Sequence, residues 1–166
     1  GIGEVVVCAE NQEIVSAVEE NGGKAILTGN QHKNGTERIF EGLQKLNIEN
    51  KVNHIILLQG DEPAINPKDI KKLYNFMNKN NVDIGTLAAE IAEDSKLNNE
   101  NIVKVKTIKK LEKNNFVEAI NFSRKILSKE SYNLYHHIGV YCYKISALEK
   151  FVNLKQTKNE IENRLE

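Results

Sequence analysis

The sequence predicts an α/β fold, a mainly parallel sheet flanked by helices with one antiparallel hairpin inserted. Apolar runs of strand length alternate with segments of helical spacing along the chain. The run Ile55-Ile56-Leu57-Leu58 reads as a strand buried on both faces, as in a parallel sheet, and it stops abruptly at Gln59-Gly60-Asp61-Glu62-Pro63. Two further strand patterns, 102–108 and 116–122, flank the polar stretch KKLEKNN and predict a hairpin.

The elements follow in order. Residues 4–9 (EVVVCA) read as a strand. Asn11 can cap a helix that places Ile14, Val15 and Val18 on one face, and Gly22-Gly23 ends it. Residues 24–28 form a short strand. The segment 36–46 spaces Ile39, Phe40, Leu43 and Leu46 as a helix does, with Thr36 as its expected cap. After the strand that ends in QGDEP, Asn66 caps a helix with Pro67 in its first turn and Ile70, Leu73 and Met77 inward. A strand over 83–91, the hairpin, a strand over 137–143 and a helix through 151 complete the series. The chain opens almost directly on a strand and stops within a helical pattern. It reads as a single domain over 1–166, incomplete at both ends.

Lysine plus arginine and aspartate plus glutamate each total 23, so the net charge is zero. That balance gives no global electrostatic case for nucleic acid or an anionic membrane as partner. No apolar stretch is long enough to span a bilayer. Cys8 and Cys142 lie in apolar strand-like runs, which points to buried free thiols and a reducing, cytoplasmic setting.

Two turns carry the chemistry. A carboxylate just beyond the carboxyl end of a strand, as in QGDEP, is placed to hold a divalent cation against a phosphate; a solvated acidic turn accounts equally for the pentapeptide alone. The segment His32-Lys33-Asn34-Gly35-Thr36-Glu37-Arg38 opens a helix, where unpaired N–H groups suit phosphate or a polar base edge. An ordinary capped helix explains that segment as well, with Arg38 as a surface ion-pair residue.

Taken together, HKNGTER and QGDEP resemble the HxSGTxR and QGDEP signatures of the 3-deoxy-manno-octulosonate cytidylyltransferases, which make CMP-Kdo for lipopolysaccharide. The resemblance continues in order through Gly22-Gly23, Thr86-Leu87-Ala88, NIVKV (101–105), Phe122-Ser123-Arg124, HIGVY (137–141) and Leu165-Glu166, and so covers essentially the whole chain. It implies a Rossmann-like nucleotidyltransferase. The anomeric hydroxyl of Kdo (3-deoxy-D-manno-octulosonate) would attack the α-phosphorus of CTP, and pyrophosphate would leave.

By the same resemblance Asp61 is the catalytic carboxylate and the ligand for Mg2+, and Gln59 is catalytic and faces the sugar. Gly35, Thr36, Arg38 and Gly60 line the nucleotide pocket. Arg124, His137, Tyr141 and Glu166 join Gln59 at the sugar, the guanidinium being suited to its carboxylate. His137 and Tyr141, four apart on a strand, share a face. His136 points the other way, His54 is structural or exposed, and Lys104 reads as an exposed strand residue. The partners implied are CTP, Kdo and a second copy in a homodimer.

Departures from the family pattern are also legible. The basic segment PARxxSxRLPGK and the stretch VDTPED have no counterpart here, Ala9-Glu10 stands for Thr-Asp, and Asn34 replaces a serine. This polypeptide by itself is therefore expected to be inactive. A sialic acid cytidylyltransferase and a non-catalytic nucleotide-binding fragment are the alternatives.

Overall fold

The computed structural model describes residues 3–92, 97–112, 115–125, 132–163 and 165. They fall into two compact units, the first made of residues up to 85 with 140–154, the second of 86–139 with 155–165.

In the first unit β1 (Val7–Ala9) pairs in parallel with β2 (Ala25–Leu27), Cys8 opposite Ile26. Between them runs α1 (Gln12–Glu20), whose cap Asn11 accepts the Glu13 amide at 2.7 Å. Its end is closed by Gly22 at φ +76°, a left-handed conformation that costs glycine little. Both strands are shorter than the runs that announced them, because residues 4–6, 24 and 28 lie outside the strands.

Helix α2 (Gly35–Leu46) corrects one expectation. Its cap is Asn34, whose side chain accepts the Glu37 amide at 2.9 Å, while Glu37 reaches back to the Lys33 amide at 2.9 Å. That is a capping box shifted by one residue at the back bond, and it leaves Thr36 inside the first turn. Gly42 lets α2 lie against β1: a Cβ there would stand 2.4 Å from the Cys8 sulfur. Asn47, left-handed at φ 52°, ends the helix.

Strand β3 (His54–Leu58) pairs antiparallel with the second half of β7 (Asn133–Lys144), from His54 opposite Lys144 to Leu58 opposite Val140. It is not buried on both faces as the run of aliphatics implied, since Leu57 is buried but Leu58 is 47% exposed. Leu57 joins Leu43, Tyr143 and Leu148 in the core, the last from α4 (Ile145–Val152). Helix α3 (Pro67–Asn80) starts at the Asn66 cap and buries Leu73 and Met77 completely. Those two meet Gly85 near the start of β4 (Ile84–Ala89), where a Cβ would come within 2.9 Å of Leu73.

In the second unit β5 (Lys104–Thr107) lies between β6 (Ala119–Ser123) and the first half of β7, antiparallel to both. The expected hairpin is present, with a register shift between Lys106 and Thr107. Helix α5 (Lys158–Asn163) follows the return of the chain to this unit. The fold class is α/β as expected. Its parallel component in the registered pairs is β1–β2, and the β3–β7, β5–β7 and β5–β6 pairs are antiparallel.

Leu73→Ala removes a side chain with no exposed surface and leaves a cavity under α3. We expect it to lower unfolding stability by about 2–5 kcal/mol in a denaturant titration, and a loss below about 1 kcal/mol would contradict this packing.

Candidate active site

The turn after β2 is held by two charged side chains from α2. Arg38 donates from Nη1 to the Thr28 hydroxyl at 2.8 Å and to the Gly29 carbonyl at 3.0 Å, and its Nη2 pairs with Glu10. Glu41, one turn further along, accepts the Gly29 amide at 3.0 Å and pairs with Lys45 and with His32 Nε2. The same residue, Gly29, is thus gripped on both sides, its carbonyl by a guanidinium and its amide by a carboxylate. Hydrogen bonds from Lys45, His32 and Gly29, in that order, hold the Glu41 carboxyl down at about 2.

Thr36 was expected to cap α2 and to line a nucleotide pocket. The cap is Asn34, and the Thr36 side chain is fully buried, 3.1 Å from the Tyr143 hydroxyl, a contact that fixes the start of the helix. Gly35, the first residue of α2, is half-buried.

The turn after β3 presents Asp61. Glu62 donates its amide to the Gln59 carbonyl at 3.2 Å, and Ile65 donates to Glu62 at 3.3 Å, so the segment folds into consecutive tight turns. Gly60 and Asp61 are exposed and Gln59 is half-buried. A Cβ at Gly60 would meet nothing within 4 Å, which leaves the backbone open to a ligand. Among the described residues no three histidine, cysteine or acidic side chains gather in a metal-binding cluster. The exposed Asp61 carboxylate could hold a cation that takes one protein carboxylate and fills the rest of its shell with water and phosphate.

Tyr141, also in the first unit, stacks on Tyr143 at 5.7 Å and lies opposite Leu57 in the ladder. His54 is half-buried, its ring edge-on to Tyr74 at 5.9 Å. Cys142 is a buried free thiol whose pKa burial pushes up to about 11, and Cys8 is free and half-buried.

In the second unit His137 Nε2 lies 2.8 Å from the Thr86 hydroxyl, which itself donates to the Ile138 carbonyl at 3.3 Å. The Thr86 hydroxyl thus bridges the His137 ring and the Ile138 carbonyl. Phe122 packs edge-on to the ring at 5.1 Å. Burial, then the neighbouring His136, lowers the His137 pKa to about 4, so the ring is neutral at pH 7.

Arg124 donates from Nε to the Asn163 carbonyl at 2.7 Å and from Nη1 to the carbonyls of Asn101 and Glu100 at 3.1 and 3.3 Å. Its own amide donates to the Asn163 side chain at 3.2 Å. Lys104 corrects the expectation of an exposed strand residue. It is 1% exposed, and its ammonium donates to the carbonyls of Asn99 and Arg124 at 2.5 and 2.7 Å. Alternation along the strand gave no hint of this, because Lys104 and its neighbour Val105, on opposite faces of β5, are both buried. Glu166 lies outside the described residues.

A family model described as a cytidylyltransferase matches residues 2–166. The chain belongs to the cytidylyltransferase family. Cytidylyltransferases are nucleotidyltransferases, and the fold is that of such an enzyme. This cytidylyltransferase is 36% identical over 165 residues to the 3-deoxy-manno-octulosonate cytidylyltransferase of Bartonella bacilliformis, covering 99% of this chain and 67% of that one. It is 39% identical over 166 residues to the enzyme of that name from Nitrobacter hamburgensis, covering 100% of this chain and 64% of that one. Among solved structures it is similar to CMP:2-keto-3-deoxy-manno-octonic acid synthetase complexed with CTP, with a TM-score of 0.81 and 30% identity over 98% of this chain and 65% of that one. The chain thus spans about two thirds of the length of these relatives. Among the described residues no helix is long and apolar enough to cross a membrane.

Two pH effects follow for this cytidylyltransferase. Glu41 binds its proton more weakly folded than unfolded, so its contribution is complete above its ordinary 4.5 and is lost as pH falls to about 2. Glu41→Gln is expected to be less stable than the parent protein at neutral pH, with the gap closing across that window in thermal unfolding.

His137 is depressed from 6.5 to about 4, so between those values the unfolded chain takes up the proton first and stability falls as pH drops. His137→Gln is expected to flatten that part of the melting-temperature profile. An unchanged slope would mean that the ring is charged in the folded protein.

Proposed function

We propose that the protein transfers CMP from CTP to the anomeric hydroxyl of Kdo, giving CMP-Kdo and pyrophosphate for lipopolysaccharide synthesis. The observation that carries this is the exposed Asp61 on a fixed turn after β3, in a chain whose relatives over its whole length are 3-deoxy-manno-octulosonate cytidylyltransferases. In the reaction the hydroxyl oxygen bonds to the α-phosphorus, the bond from that phosphorus to the bridging oxygen breaks, and the hydroxyl proton passes to solvent.

Such a transfer asks the protein for position and charge more than for covalent chemistry. Asp61 would hold Mg2+, which would supply charge neutralisation on the phosphate oxygens when bound. The Gly35 and Gly60 backbones border the nucleotide, and Arg38 fixes the turn beside it. Thr36 acts from below, through Tyr143. To the sugar we assign Gln59, Arg124, His137, Tyr141 and Glu166, with Arg124 for its carboxylate and neutral His137 for a hydroxyl. We infer a homodimer working in the cytoplasm, where CTP is made.

The test is Mg2+-dependent pyrophosphate release from CTP, with Kdo and with sialic acid, by a protein that carries the PARxxSxRLPGK and VDTPED segments of the family as well as these 166 residues. Release with Kdo alone is expected, and Asp61→Asn should reduce it at least about 100-fold. Turnover with sialic acid and not Kdo would overturn the sugar assignment. Full activity of Asp61→Asn would overturn the role of the carboxylate.

A further inference from the structure

Lys104 poses a problem that the reaction above does not answer. Placing an ammonium in a protein interior costs several kcal/mol unless it is well compensated, and an aliphatic residue is the ordinary occupant of a central strand. Here the compensation comes from two main-chain carbonyls, Asn99 at 2.5 Å and Arg124 at 2.7 Å. Neither acceptor carries a formal charge. The arrangement is therefore a costly way to fill space and an effective way to fix backbone.

The backbone it fixes is that around Arg124. Asn99 leads directly into Glu100 and Asn101, whose carbonyls receive the Arg124 guanidinium. The second acceptor is the carbonyl of Arg124 itself. A closed circuit results: the ammonium anchors the main chain from which the arginine side chain departs and, through Asn99, the loop on which its guanidinium rests. Glu100 and Arg124 are the charged groups felt at the ammonium, the former attractive and the latter repulsive. Two cations brought together in this way raise the local positive potential, which favours an anionic ligand.

We propose that Lys104 is a positioning residue for the sugar carboxylate, acting through Arg124 by fixing its main chain and the loop at residues 99–101. The inference rests on the reading of Arg124 as the carboxylate's partner. It makes Lys104 a determinant of affinity for acidic sugars, with little influence on CTP.

The experiment is steady-state kinetics on the intact protein, with CTP and Kdo varied separately, for Lys104→Met, Arg124→Gln and the double variant. Lys104→Met should raise KM for the sugar roughly 10- to 100-fold while leaving kcat and KM for CTP nearly unchanged. In the double variant the sugar KM should match that of Arg124→Gln alone, because both changes act on one contact. A purely structural lysine would instead lower the folded fraction and apparent kcat at constant sugar KM, and that result would overturn the proposal. So would independent, multiplying effects in the double variant. If Arg124→Gln leaves the sugar KM unchanged, the reading of Arg124 is what fails. Lys104→Arg, which keeps the charge but not the reach of the ammonium, carries the same test should Lys104→Met not fold: a raised sugar KM is expected, and an unchanged one counts against positioning.

Discussion

The irregular segments of this protein depend on charged side chains to satisfy main-chain groups that no ladder or helix can reach. A loop peptide withdrawn from water needs a partner for each N–H and C=O. Arg38 and Glu41 meet that need on the two sides of Gly29. Lys104 and Arg124 meet it for residues 99–101, and for the carbonyls of Arg124 and Asn163. Hydrogen bonds to charged groups are stronger than neutral ones and strongly directional, so each turn is held in one conformation. The regular elements supply platforms, and these ionic contacts to backbone determine what the platforms present.

How much of this was legible in the sequence varied with the kind of information needed. Helix starts at Asn11 and Asn66 could be read directly, because a cap residue followed by an amphipathic run is a local signal. At α2 two cap-competent residues stand close together, and Thr36 was the wrong one. The spacing from Asn34 to Glu37 marks the true cap. Strand direction was not legible for β3: a run of aliphatics reports burial, and its antiparallel partner lies more than 80 residues away in sequence. Leu58 shows that even burial was overstated at the strand's end.

For the site, the motifs were legible only as a pattern resembling a family. The partners that give each residue its character were not. Nothing in the order of residues says that His32 meets Glu41, that Thr86 meets His137, or that Thr36 reaches Tyr143, because each contact is created by packing. Lys104 is the sharpest case. A lysine between two valines reads as the solvent face of a strand, and burial of both faces of β5 reverses that reading.

The cap of α2 has a consequence for how the protein ages. Asparagine followed by glycine is the dipeptide most given to losing its side-chain amide, by attack of the glycine nitrogen on the asparagine side chain to form a cyclic imide. Asn34-Gly35 is such a pair. In the fold the Asn34 side chain is bonded to the Glu37 amide, its backbone is extended at ψ 172°, and the Gly35 nitrogen belongs to the first turn of a helix. Ring closure would require rotating that backbone and breaking the cap first. The contact that begins the helix therefore also guards a chemically fragile bond, and the lifetime of the turn is tied to how seldom the end of α2 frays.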